Sequence, residues 1–101
     1  MVSVEADQLR AKDITVDMGN AADYVFEEDY QLKPLKEVES YVKENKHLPG
    51  VPSASQMKEE GVNLSDMCNL LLEKVEELTL HLIRVEKENE LLKARLDAQE
   101  K

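Results

Sequence analysis

From Leu64 to Leu96 apolar residues recur at alternating steps of four and three, and no other feature restricts the fold of this chain as strongly. The series runs Leu64, Cys68, Leu71, Val75, Leu78, Leu82, Val85, Asn89, Leu92, Leu96. A spacing that averages about 3.5 residues holds one narrow stripe toward a partner helix, which is the requirement of a coiled coil. Taking each step of three as a to d places Cys68, Val75, Leu82, Asn89 and Leu96 at a. Leu64, Leu71, Leu78, Val85 and Leu92 then fall at d. One helix cannot bury such a stripe against itself, so the expected partner is a further copy of the chain. These residues are the expected oligomer interface.

A helix from about Leu64 to Gln99 would be roughly 50 Å long at about 1.5 Å per residue. In a chain of 101 residues that leaves a remainder marginal for an independent core. The net charge of -9 argues against nucleic acid and anionic membrane as partners, since both want basic surface. Charged residues make up 35% of the chain, yet the heptads persist among them, which fits a solvated coiled coil better than disorder. No apolar run approaches the roughly eighteen residues of a membrane span. The N-terminus shows neither a basic n-region nor an apolar h-region, so no signal peptide is expected. The single cysteine excludes an intrachain disulfide and leaves the redox compartment open.

Upstream of the heptads the pattern divides the chain again. Val2 and Val4, then Ile14, Val16 and Met18, alternate with polar residues, and Lys12–Asp17 is expected to be a strand. Two short strands do not support themselves, so residues 1–21 read as a β-stem that pairs with other chains or with a preceding body. Gly19-Asn20-Ala21-Ala22 breaks it. Asp23–Leu32 carries Tyr24, Phe26 and Tyr30 between acids and reads as an extended anchor. Pro34 suits the first turn of a helix, and Leu35, Val38 and Val42 give that helix one apolar face to about Asn45. Leu48-Pro49-Gly50-Val51-Pro52 cannot be helical, because each proline pushes its predecessor to extended geometry. Ser53 with Gln56 forms a capping box for a short helix that Gly61 ends. Asn63 caps the long helix, and Asp66 places favourable charge in its first turn. Residues 22–63 thus form a small knob with two short helices, and 64–101 the coiled-coil helix.

The long helix has two characters. Leu72, Leu80 and Ile83 add a second apolar stripe off the seam, whereas beyond Val85 the outward positions are nearly all Glu, Lys, Arg or Asp. The first half is therefore expected to lie under the knob, with Tyr24, Phe26, Leu35, Val38, Val42, Leu48 and Val51 packing on Leu72, Leu80 and Ile83 of the same or a neighbouring chain. The second half should project bare.

Nothing in the sequence points to an active site, a cofactor or a metal. His47 and His81 lie on different elements with no Cys or second His at ligand spacing. Cys68 faces the seam and reads as a small buried residue, not a reactive thiol. Ser53, Ser55 and Ser65 stand beside helix caps, where serine is expected. The abundant carboxylates read as a solvated face. Asn89 at an a position costs stability but pins register, because slipped alignments leave its amide unpaired in a dry seam. Val at a with Leu at d, plus that Asn, leans toward two strands. Arg95 at g with Glu100 at the following e approximates a trimer-favouring pattern, from which Gln99 departs at d. The helix alone leaves dimer against trimer open.

The middle of the chain carries a more specific signal. Ala22-Asp23-Tyr24-Val25-Phe26, Asp29-Tyr30, Leu35-Lys36-Glu37-Val38-Glu39 and Lys46-His47-Leu48-Pro49-Gly50-Val51-Pro52-Ser53-Ala54 follow in order. Glu60-Gly61-Val62-Asn63-Leu64 and Leu71-Leu72-Glu73-Lys74-Val75-Glu76-Glu77-Leu78-Thr79-Leu80 complete the series. From Ala22 to Ile83 the chain resembles the C-terminal tail module of fibre-like and surface proteins of Bacteroidetes and their phages. That module is similar in layout to the intramolecular chaperone domain at the end of phage tail fibres and tailspikes. The resemblance implies a homotrimeric fibre end that nucleates and aligns three chains, with the upstream fibre body as its neighbour. Some chaperone domains release themselves at a junction serine. Ser3 is here followed by Val4, Glu5 and Ala6, outside that pattern, so no catalytic residue carries over.

The expected fold is an elongated α+β protein: short N-terminal β-strands, a small helical knob and a long parallel trimeric coiled coil. The expected function is non-enzymatic trimerisation and registration of a phage tail or head fibre, or of a related cell-surface fibre. The alternatives are a receptor-binding fibre tip and, third, an adaptor coiled coil.

Overall fold

The computed structural model describes residues 3–19 and 21–99, so the expectations resting on Val2, Asn20, Glu100 and Lys101 lie outside it. Three α-helices follow an N-terminal segment without regular structure: α1 (Leu35–Asn45), α2 (Ala54–Glu60) and α3 (Leu64–Gln99). A single 3-10 turn at Tyr24–Phe26 precedes them. The molecule measures 70 × 31 × 29 Å, its length set by the 36 residues of α3.

The expected α+β class is corrected: the protein is all helical, and no strand occurs among the described residues. Val4 and Ile14 stand exposed, and Lys12–Asp17 pairs with no neighbouring backbone. Alternation reports how side chains are distributed between two faces, whereas a strand needs a second strand to take its hydrogen bonds. Residues 3–19 have none. The β-stem is therefore absent among the described residues.

Local signals place the helices well. Pro34, extended at φ -60° and ψ 147°, is the N-cap of α1, one residue before the expected first turn, and its carbonyl accepts from Glu37 N at 3.0 Å. Lys46 ends the helix in the left-handed region at φ 63°, its N–H bonded to Val42 O at 2.8 Å. Around α2 the capping box forms as the sequence predicts: Gln56 N donates to Ser53 Oγ at 3.3 Å and Ser53 N to Gln56 Oε1 at 2.9 Å. Gly61 closes α2 at φ 74°, a conformation its lack of Cβ permits. Asn63 Oδ1 then accepts from Asp66 N at 3.0 Å and opens α3.

The buried apolar centre is small. Ala22 and Val25 are fully enclosed, Val25 at 1% exposure, and Pro49 is buried as well. Asp23–Leu32, expected to be extended, instead contains the 3-10 turn, and that difference changes which residues face inward. Extended backbone would put Tyr24 and Phe26 on one side at a period of two. In a 3-10 turn, residues three apart share a side, so Ala22 and Val25 face α3 while Tyr24 and Phe26 remain exposed.

Candidate assembly surface

Each a and d position of α3 is exposed in the single chain, from Val85 at 37% to Leu82 at 67%. Cys68 and Asn89 share that exposure. The knob does not cover the stripe because it sits on the other side of the helix. At about 100° per residue, heptad positions b, c and f lie opposite the a/d stripe, with g at its edge. The residues of α3 that meet the knob occupy those positions: Asn69 and Glu76 at b, Glu77 at c, Glu73 at f, Lys74 and His81 at g.

A row of polar anchors ties the knob to this outer face beside Ala22 and Val25. Ala22 N donates to Asn69 Oδ1 at 2.5 Å. The Tyr24 hydroxyl donates to Glu73 Oε2 at 2.8 Å. The Tyr30 hydroxyl lies 2.5 Å from Glu77 Oε2 and 3.2 Å from Glu73 Oε1, and its one proton goes to the nearer oxygen. Lys74 Nζ closes the row on Glu77 Oε1 at 3.1 Å, in a half-buried ion pair. Both phenols titrate above their ordinary range. For Tyr24 the main cause is the hydrogen bond to Glu73, followed by burial. For Tyr30 burial comes first, then the hydrogen bond to Glu77 and the charges of Glu77 and Glu73.

Glu76 is the uncomfortable member of the row. It is 6% exposed, and its Oε1 has no hydrogen-bond partner among the described residues. Burial raises its pKa, helped by a hydrogen bond with Asp23 and by the charges of Asp23 and Glu73. A protonated Glu76 can donate to the carboxylate of the exposed Asp23. This cluster has no distinct sign in the sequence: Glu73, Glu76 and Glu77 look like a solvated face until the tyrosines are placed over them.

The residues expected to pack the knob divide. Val38, Val51 and Leu80 are half-buried, while Tyr24, Phe26, Leu35, Val42, Leu48, Leu72 and Ile83 are exposed in the single chain. Phe26, Val42, Leu72 and Ile83 therefore do not form the intrachain core that the second stripe implied; Ala22 and Val25 do. Leu35 and Leu48 instead line an open groove. His47 packs edge-on against Tyr41, with ring centroids 5.4 Å apart.

No group of three or more His, Cys, Asp or Glu side chains is placed to hold a metal ion among the described residues. No described helix is long and apolar enough to cross a membrane. Comparison with family models, with curated proteins and with solved structures finds no match.

Proposed function

We propose that the chain is a non-enzymatic trimerisation and registration module that ends a fibre, of a phage or of a cell surface. One observation carries this: the knob occupies the outer face of α3 and leaves the a and d stripe uncovered along the whole helix. A stripe of Leu and Val exposed over that length is an interaction surface by its size and periodicity. Its natural complement is the same stripe on other copies, which closed symmetry satisfies. Three copies are favoured over two by the likeness of residues 22–83 to a trimeric fibre-end module. The Arg95 to Glu100 spacing in the sequence points the same way.

The lack of strands among the described residues favours one second reading, a plain coiled-coil adaptor, which needs no β-stem. Two experiments separate the possibilities. Sedimentation equilibrium should give three times the chain mass of 11.5 kDa; a monomer mass refutes assembly, and a twofold mass refutes the trimer. In a fibre carrying this chain at its end, deletion beyond Met67 should leave chains monomeric or aggregated and the fibre unformed. An unrelated trimeric coiled coil grafted in register should restore assembly. A truncated fibre that assembles normally and loses only attachment to its host makes the chain a receptor-binding tip.

A further inference from the structure

A groove of about 150 Å³ runs between α1, the Leu48-Pro49 turn and α3. Leu35, Val38 and Leu48 line it from the knob, Leu78 and His81 from the long helix. Two observations show that the chain does not complete this groove by itself. Leu35 and Leu48 keep their side chains exposed along it. His81, only 7% exposed, lines it while its Nδ1 has no hydrogen-bond partner among the described residues. A buried imidazole nitrogen left this way costs free energy comparable to a lost hydrogen bond.

The position of the groove relative to the seam decides what can enter. Leu78 is a d residue, while Lys74 and His81 are g residues, so the groove opens along the g edge of the stripe. In a parallel coiled coil that edge faces the e edge of the next helix. A g residue then lies between the e residues about two before and five after its own number. Opposite Lys74 and His81 come Leu72, Thr79 and Glu86 of the neighbouring copy. Leu72 is the apolar e residue that its own knob leaves exposed, and Ile83 is exposed further along the same flank. Charge agrees with this alignment further along the helix, where Glu88 meets a base at Lys93.

We propose that the groove is a docking surface for a neighbouring copy of this chain, whose Leu72 flank enters it and whose Thr79 and Glu86 face His81. This rests on the parallel assembly proposed above and deepens it: each knob is seated on its own helix by the tyrosine–carboxylate row and clasps the next helix with its groove. The knob would then contribute to register as well as Asn89. A one-heptad slip in either direction replaces one of the two residues opposite His81, bringing Leu72 there in place of Glu86 or Lys93 in place of Thr79.

A photo-crosslinking residue in place of Leu48, in chains mixed equally from light and heavy isotope batches, tests the proposal. If the groove holds a neighbour, about half of the products joining position 48 to Leu72, which does not line the groove of its own chain, pair a light with a heavy peptide, as random mixing in a symmetric oligomer requires. Leu72→Glu sets a charge against the apolar lining and should cut that mixed product about tenfold or more. The same group at Leu35 repeats the measurement should position 48 disturb the turn. Oligomers whose crosslinks are all light–light or heavy–heavy overturn the docking and leave the assembly standing. A monomer mass for the unsubstituted chain overturns both.

Discussion

Leu82→Ala probes the seam where the single chain is most open. Leu82 is an a residue 67% exposed with nothing of its own knob over it. If no partner covers it, the substitution removes little buried surface. Exposed changes of this kind shift stability by no more than about 0.5 kcal/mol, and alanine is itself the better helix former. If the stripe is buried between copies, each truncated leucine costs about 2–5 kcal/mol. One substitution changes every chain, so the loss reaches about 6–15 kcal/mol per trimer. Because assembly is linked to concentration, the loss appears as a fall in Tm that steepens on dilution. Far-ultraviolet circular dichroism melts over a wide range of concentration, with sedimentation at the same concentrations, read both effects. Leu80→Ala is the internal control: a half-buried f residue should loosen the knob without shifting the oligomer equilibrium as far. Melting of Leu82→Ala within about 0.5 kcal/mol of the parent at every concentration would falsify the buried seam.

Asn89→Val exchanges a polar a residue for an apolar one, and Tm should rise while sedimentation shows a broader range of oligomers; a variant both less stable and still uniquely trimeric would mean that Asn89 makes a stabilising contact. Val25→Ala removes two buried carbons at about 0.8 kcal/mol each, before any cavity cost, so hydrogen exchange at Ala22–Phe26 should speed while the distal half of α3 is unchanged. Raised phenol pKa values mean that Tyr24 and Tyr30 hold their protons longer folded than unfolded. Their contribution is complete below about pH 10 and is lost as pH rises through the folded values; Tyr24→Phe/Tyr30→Phe should remove that alkaline loss in a pH series of melts. Glu76 has the same sign at lower pH: its folded pKa lies above the ordinary carboxylate value, so acidification from neutrality should tighten the knob, with Glu76→Gln abolishing the effect in amide exchange corrected for intrinsic rate.

The helices were legible because their signals are local. The Ser53/Gln56 box, the Asn63 cap and the Gly61 stop each need only their own neighbours, and each appears where the sequence puts it. The heptad stripe is equally legible, since periodicity along one helix requires no knowledge of what lies opposite. The strand and the knob core were not. Lys12–Asp17 has the alternation of a strand, but strand formation is settled by a partner that the segment does not encode. The inward residues of Asp23–Leu32 depend on a backbone period of two or three, and a single turn of 3-10 helix exchanges Tyr24 and Phe26 for Ala22 and Val25. The carboxylate row escaped for a related reason. Glu73, Glu76 and Glu77 become distinctive only when two hydroxyls and Asp23 arrive from roughly fifty residues away in sequence, as the separations of 43 to 49 residues show.

If copies assemble as proposed, the placement of the knob also orders the events. Its anchors reach α3 only between Asn69 and His81, so a single chain can seat the knob with its own residues. From Leu82 onward the helix has no cover, and its side-chain support among the described residues is slight, such as Arg84 Nε to Glu88 Oε1 at 4.0 Å. Exposed pairs of that kind are worth about 0.3–0.5 kcal/mol, too little to hold a solvated helix against fraying. Bringing chains together carries its own cost, of about 4–15 kcal/mol, which the uncovered Leu and Val side chains must exceed. The seated knob reduces what remains to be ordered at that step, because the proximal half of α3 is already fixed with its seam outward. Association would then begin beside the knob, where helix and groove are preformed, and proceed toward Leu96 as each further a and d pair closes. A distal truncation after Val85 should accordingly weaken the assembly without abolishing its onset, whereas disrupting the anchors with Tyr24→Phe/Tyr30→Phe should slow the onset and leave the distal coil as stable once formed. Stopped-flow circular dichroism on refolding distinguishes the two; equal onset rates in both variants would show that the knob does not prepare the helix.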